Sequence, residues 1–209
     1  TMSATTPPLR MRIGAWISGR HGVEAGEVTL DRKRVYILPT RAGLIFGAVI
    51  LIMLVGSINY SLQLGYLLTF LVASMAVVGM YHTHRNLSRI SLQGMRASDT
   101  FAGDLAGYTL MAANPTPEAR YALAFAFIVG RRRKIDYENG AVRPLPGTHI
   151  DLSAHGQHEV TLGLPTRRRG HRPCPRIRIE THFPFGLWTA WAYFTPSLEA
   201  IVYPRPEDE

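Results

Sequence analysis

From Ala42 through His84 the chain carries no Asp, Glu, Lys or Arg, and most of that stretch is Leu, Ile, Val, Ala, Met, Phe and Gly. A helix crossing about 30 Å of hydrocarbon needs about 20 apolar residues at roughly 1.5 Å each, so a single helix over this run would be about twice too long. The run therefore predicts two spans. The break falls at Asn59-Tyr60-Ser61, with Gln63 and Gly65 close by. This is the only polar cluster inside the run, and its tyrosine suits a membrane interface. Helix one is expected over about Ala42 to Ile58 and helix two over about Leu62 to Tyr81. The competing reading is a buried hairpin in a soluble protein, but a core that small rarely needs so long an uncharged run.

The flanks set an orientation, because Lys and Arg resist translocation. Arg32, Lys33, Arg34 and Arg41 precede the run, Arg85, Arg89 and Arg96 follow it, and the turn has no charge. Both termini are thus expected in the cytoplasm, with a few residues of the turn on the far side. Residues 1–34 read as a polar, basic tail. Within it Met11, Ile13, Trp16 and Ile17 lie among Arg10, Arg12 and Arg20, either a short amphipathic segment on the inner leaflet or a tail with scattered apolar residues. The net charge of +8 suits a domain held against anionic lipid, and the lone Cys174 excludes an internal disulfide.

Past His84 the apolar pattern changes to a period of two, the mark of half-buried strands. Ile90 and Leu92 share one face, as do Tyr108-Leu110-Ala112, Tyr121-Leu123-Phe125-Phe127-Val129, Val160-Leu162-Leu164 and Ile177-Ile179-Thr181. Trp188, Ala190, Ala192 and Phe194 alternate with Leu187, Thr189, Trp191 and Tyr193, and Ala200 to Tyr203 closes the series. Turn formers separate these runs at Asn114 to Pro117, Glu138 to Gly140, Pro144 to Gly147, Gly170 to Pro175 and Pro184 to Gly186. The expected organisation is an α+β membrane protein. A hairpin within residues 35–85 is followed by an antiparallel, immunoglobulin-like β-sandwich over residues 86–206. No long amphipathic helix follows the hairpin, which sets a parallel sheet aside.

Motifs for chemistry are absent: there is no phosphate loop, dinucleotide fingerprint, nucleophile elbow or zinc helix. His82 and His84 on a helix would point their rings about 200° apart, poor geometry for one ion. His155 and His158 lie near Asp151 and Glu159 without a recognised ligand spacing. Asp151-Leu152-Ser153-Ala154-His155 approaches the Asp-x-Ser-x-Ser motif of von Willebrand A-like domains but ends in His, and is read as a chance match. No catalytic residue, cofactor or metal is expected.

Two basic clusters remain, Arg131-Arg132-Arg133-Lys134 and Arg167-Arg168-Arg169, either solvated loops or contacts for lipid phosphates or an acidic partner. Nucleic acid is not expected, since no aromatic-interleaved motif accompanies the arginines. Phe183 to Trp188 reads first as a turn whose aromatics plug the sandwich, and second, through Phe185 and Trp188, as a partner contact.

At the residue level, Arg34-Val35-Tyr36-Ile37-Leu38-Pro39-Thr40-Arg41-Ala42-Gly43 leads into the hairpin, and His82-Thr83-His84-Arg85-Asn86-Leu87 leaves it. With Leu164-Pro165-Thr166-Arg167-Arg168-Arg169-Gly170, Thr181-His182-Phe183-Pro184-Phe185-Gly186-Leu187-Trp188 and Val202-Tyr203-Pro204-Arg205-Pro206, the series resembles the membrane-anchored bacterial proteins of the domain of unknown function 58 family. The resemblance spans about residues 32 to 206. It implies a bacterial inner-membrane protein encoded beside a MoxR-type AAA+ ATPase and a transglutaminase-like membrane protein, acting as a non-enzymatic scaffold that docks partners. Members usually continue into an Arg-x-Tyr, Gly-Asp and Ile-x-Trp series. This sequence stops at Glu209, as a fragment or a shortened member would, so nothing housed in that region is carried over. The alternative functions are an accessory subunit of a membrane enzyme acting on envelope or peptide substrates, and a surface sensor of anionic lipid.

Overall fold

The computed structural model describes residues 23–128, 141–142, 149–166 and 168–204. Two strands come before the uncharged run: β1 at Glu27–Thr29 and β2 at Tyr36–Pro39. The run itself forms α1 at Arg41–Asn59 and α2 at Gln63–Leu87, with the turn at the expected Asn59-Tyr60-Ser61. Eleven further strands follow: β3 (Ser91–Ala97), β4 (Thr100–Phe101), β5 (Leu105–Ala113), β6 (Arg120–Ile128), β7 (Ala141–Val142), β8 (His149–Leu152), β9 (Gln157–Pro165), β10 (Gly170–Pro173), β11 (Arg176–Thr181), β12 (Trp188–Phe194) and β13 (Glu199–Tyr203).

The strands form a sandwich-like arrangement. One sheet runs β1-β3-β5-β9, another runs β2-β12-β11-β6-β7 with β8 also paired to β6, and a small sheet runs β10-β13-β4. All pairings are antiparallel except β13 with β4. The alternating apolar residues of the sheets meet in one core, where Leu92, Tyr108, Leu110, Leu123, Phe125, Leu162, Ile177 and Ile179 are fully buried. Burial of such side chains is the main drive for the fold, at about 1.5–3 kcal/mol each.

Both helices are long and apolar enough to cross a membrane, and neither is a core helix. Leu64 is 80% exposed and Leu67 67% exposed, while Leu110 and Leu123 in the sandwich are at 0%. Helix α2 extends six residues past the expected Tyr81, to Leu87. Its last two turns leave the apolar run and pack on the sandwich, where Thr83, Asn86 and Leu87 are buried.

The expected basic tail over residues 1–34 is corrected at its C-terminal end. Val28 pairs with Leu92, Glu24 bridges Pro196, and Arg34 Nη1 donates to Glu24 Oε1 at 2.5 Å. The sandwich therefore begins before the hairpin, and β2, counted with the hairpin by sequence, is an edge strand of the sandwich paired to β12. The hairpin is an insertion between β2 and β3. Gly170–Pro173, expected as turn, pairs with β13. The alternation of β6 also breaks: a register shift between Arg120 and Leu123, with Ala122 at φ 51, leaves Tyr121 exposed and turns Arg120 inward to 4% exposure. Asp151 Oδ1 accepts the Ala122 N–H at 2.7 Å and so holds this bulge. The expected amphipathic segment around Trp16, the turns at Glu138 to Gly140 and Pro144 to Gly147, and Val129 lie outside the described residues.

Candidate functional site at the joint of hairpin and sandwich

Where β2 runs into α1, Thr40 is the helix N-cap, and its Oγ1 accepts the Gly43 N–H at 3.0 Å. This satisfies one of the free N–H groups of the first turn. The same hydroxyl donates to Gly186 O at 2.7 Å, and the Thr40 N–H donates to Leu187 O at 2.9 Å. The first turn of α1 is thereby tied to the segment Phe183–Trp188. Glycine is required at 43 because a Cβ there would lie 2.1 Å from Leu187 O.

The second helix meets the same segment from the other side. Trp188 Nε1 donates to Ala76 O at 3.0 Å. The Phe185 ring lies so close to Gly79 that a Cβ on that glycine would approach Cδ2 to 2.9 Å. Phe183 stacks at a tilt on Tyr121, with centroids 5.0 Å apart. The expectation that these aromatics plug the sandwich is thus corrected: Phe183 and Phe185 are 37% and 49% exposed and sit outside the core, Phe185 against α2 and Phe183 on Tyr121 of β6. The reason lies in the course of the chain. Pro184 and Gly186 bend it between the ends of β11 and β12, beyond a core face already filled by Ala190, Ala192 and Phe194.

Two turns further along α2, the buried Asn86 carboxamide does the work of a missing strand. Its Nδ2 donates to Tyr121 O at 2.7 Å and to Thr181 Oγ1 at 2.9 Å, and its Oδ1 accepts the Tyr121 N–H at 3.0 Å. Arg120 Nη1 donates to Arg85 O at 2.7 Å, close to where α2 ends. Arg120 Nη2 donates to Thr116 Oγ1 at 3.0 Å. Helix α2 is therefore fastened to β6, β11 and β12 through polar groups that are nearly all satisfied, the condition for a buried polar network to hold one geometry.

The outer face of β12 is covered too. Arg178 lies 5.1 Å from the centroid of the Trp191 ring and Arg176 6.0 Å from that of Tyr193, while Tyr36 of β2 packs on both rings. This explains why Trp191 and Tyr193, on the face opposite the buried Ala190, Ala192 and Phe194, are each only 7% exposed.

Of the residues singled out from sequence, Phe185 and Trp188 meet at this joint. Arg168 and Arg169 are exposed between β9 and β10 and make no ion pair among the described residues. Arg131, Arg132, Arg133, Lys134 and Arg167 lie outside the described residues. Among the described residues no group of three or more His, Cys, Asp or Glu side chains could hold a metal ion. Sequence reasoning missed Asn86, Thr40, Gly43 and Arg120 as members of the joint. Thr40, three residues before Gly43 at the head of an apolar run, carried a readable capping signal. Asn86 and Arg120 carried none.

No protein-family model matches the sequence, and no curated protein does. Among solved structures the chain is similar to the ASH / PapD-like domain of human CEP192 (PapD-like domain 7), at 16% identity and a TM-score of 0.31, over 55% of this chain and 87% of that one. The sandwich described above rests on its own strand pairing.

Proposed function

We propose that the chain is a non-enzymatic adaptor of the bacterial inner membrane. The helical hairpin spans the bilayer, both ends face the cytoplasm, and an immunoglobulin-like sandwich docks partner proteins there. The observation that carries this reading is the hairpin's insertion between β2 and β3, with its apolar side chains facing outward and its base clamped to the sandwich. An anchor joined by a flexible tether would leave the sandwich free to tumble. This one presents a fixed face to whatever approaches the membrane.

The resemblance to the domain of unknown function 58 proteins supplies the partner class, a MoxR-type AAA+ ATPase together with a transglutaminase-like membrane protein. The arginines at Arg32, Arg34, Arg41, Arg85 and Arg89 support the cytoplasmic placement of both helix ends. Arg168 and Arg169, exposed and without ion pairs among the described residues, are the docking surface we favour for an acidic partner.

Affinity capture of the detergent-solubilised chain from its host, read by mass spectrometry, tests the partner class. Recovery of an AAA+ ATPase that is lost on Arg168→Glu with Arg169→Glu supports the reading. Recovery unchanged by the substitutions removes these arginines from it. Reporter fusions at Asn59 and after Glu209 test the orientation. The fusion at Asn59 is expected to report the periplasm and the other the cytoplasm, and the reverse would end the adaptor model.

A further inference from the structure

Below the joint, the last turns of α2 and the sandwich enclose a cleft of about 210 Å³. Its lining includes Arg32, Arg85, Arg89 and Arg120, with Tyr81 at one side and Glu118 as the only carboxylate. Four arginines from three separate stretches of chain, around residues 32, 85–89 and 120, therefore line one concavity. Glu118 offsets one of them by pairing with Arg85. Arg32 and Arg89 are exposed at the rim and have no ion pair among the described residues.

Arg120 is the informative member. It is 4% exposed, and its Nε is buried with no hydrogen-bond partner among the described residues. Burial, and then the charges of Arg85 and Arg89, push its pKa down, against the opposing pull of Glu118. Its Nη1 and Nη2 donate to Arg85 O and Thr116 Oγ1, but a buried guanidinium with no ion pair among the described residues and one N–H without an acceptor still costs free energy unless an anion supplies them.

The position of the cleft selects the anion. Counting equal numbers of residues back from the turn, Tyr81 on α2 stands level with Arg41 on α1, where the uncharged run begins. Arg85 lies about 6 Å further out, just over one helical turn. If the hairpin spans the bilayer, this is the depth of the lipid phosphates, with Tyr81 and Trp188 at the headgroup level that tyrosine and tryptophan favour.

We infer that this cleft is a binding site for a phosphate group, supplied by the headgroup of an anionic phospholipid of the inner leaflet. Arg32 and Arg89 take the phosphate oxygens at the rim, and Arg120 closes the site from below. Planar, forked guanidinium donors suit phosphate oxygens in pairs. The inference rests on the hairpin being membrane-inserted, but not on the identity of any protein partner.

The test uses the full chain in detergent, with phosphatidylglycerol, phosphatidylcholine and inorganic phosphate as separate probes, read by the shift in thermal unfolding. Phosphatidylglycerol is expected to stabilise the chain, and phosphatidylcholine and inorganic phosphate much less. The double variant Arg32→Gln, Arg89→Asn alters only rim residues; asparagine is chosen because Arg89 sits at φ 67. It is expected to unfold at the same temperature without lipid and to bind phosphatidylglycerol about tenfold more weakly. Equal binding by the parent chain and the variant would overturn the site. Stabilisation by inorganic phosphate equal to that by phosphatidylglycerol would overturn the lipid source. Carbonate extraction of membranes bearing the same variant separates failure of the anchor, seen as release, from failure of the site, seen as retention without lipid preference.

Discussion

The hairpin and the sandwich are built from much the same apolar side chains and solvate them in opposite ways. In the sandwich, leucines such as Leu110 and Leu123 are sealed inside, with polar residues on the outer faces. In the hairpin, leucines such as Leu64 and Leu67 point outward, and away from the sandwich the buried members are Ser57 and Thr69, whose hydroxyls bond back to Met53 O and Gly65 O of their own helices. Apolar content alone therefore does not say where a core is. The period does: two in the sheets, where one face is hidden, and none in the helices, where every face is apolar.

The sharpest way to break this comparison is truncation in each region. Phe125→Ala should cost about 3–5 kcal/mol, the usual loss for a buried phenylalanine. Leu64→Ala should leave the sandwich within about 0.5 kcal/mol of the parent. Denaturant titration of tryptophan fluorescence in detergent measures both, and equal losses would mean that the outward hairpin leucines carry the fold.

The inverse experiment adds a charge. Leu71→Arg, near the middle of the apolar part of α2, should raise the apparent free energy of membrane insertion by about 3–4 kcal/mol. Ile201→Arg on the sandwich surface should change stability by less than about 0.5 kcal/mol. Unimpaired insertion of the Leu71 variant would count against a membrane-spanning α2.

At the joint, Asn86→Ala leaves the Tyr121 N–H without its acceptor and should cost about 1–3 kcal/mol. Gly43→Ala forces Leu187 O away and should cost about 1–3 kcal/mol. Both should raise hydrogen exchange at residues 183–188 before the core exchanges. Exchange unchanged there would show that hairpin and sandwich are not mechanically joined by these contacts.

The smallest effect is a pH dependence confined to the sandwich. Burial pushes the Cys174 thiol up from 9.0 to about 12. Burial first, then the Cys174 charge, pushes the Tyr108 phenol up from 10.0 to about 12. Both groups are neutral in the fold and ionise more readily when unfolded. Their stabilisation is therefore complete below about pH 9 for Cys174 and pH 10 for Tyr108, and is lost as pH rises toward 12. Cys174→Ala should raise the midpoint of alkaline unfolding by a fraction of a pH unit, with no change near neutrality. A midpoint insensitive to both Cys174→Ala and Tyr108→Phe would refute this account.

What was legible in the sequence follows the same division. The turn at Asn59-Tyr60-Ser61 could be read because polar residues are conspicuous in an apolar run. The strands at Tyr108-Leu110-Ala112 and Ile177-Ile179-Thr181 could be read because each hides one face, and these residues are indeed buried. Strands β1 and β2 could not, since three or four edge residues are too few to show a period. Arg120 was hidden by a cleaner pattern beside it. The alternation from Tyr121 to Phe127 places Arg120 outward until the bulge at Ala122, held by the distant Asp151, reverses it. The role of Phe183 to Trp188 depended on which surface it would meet. Only the packing of α2 against β12 answers that.

The sequence by itself determined two apolar helices with a turn between them, and a series of half-buried strands after them. These are local properties, set by composition and by period. The tertiary structure decided that the sandwich starts before the hairpin, that the aromatic segment clamps the hairpin's base, and that Arg32, Arg85, Arg89 and Arg120 line one cleft. Each of these joins residues far apart in the chain. Such pairings are selected by the free energy of packing between elements, which no short stretch of sequence carries alone.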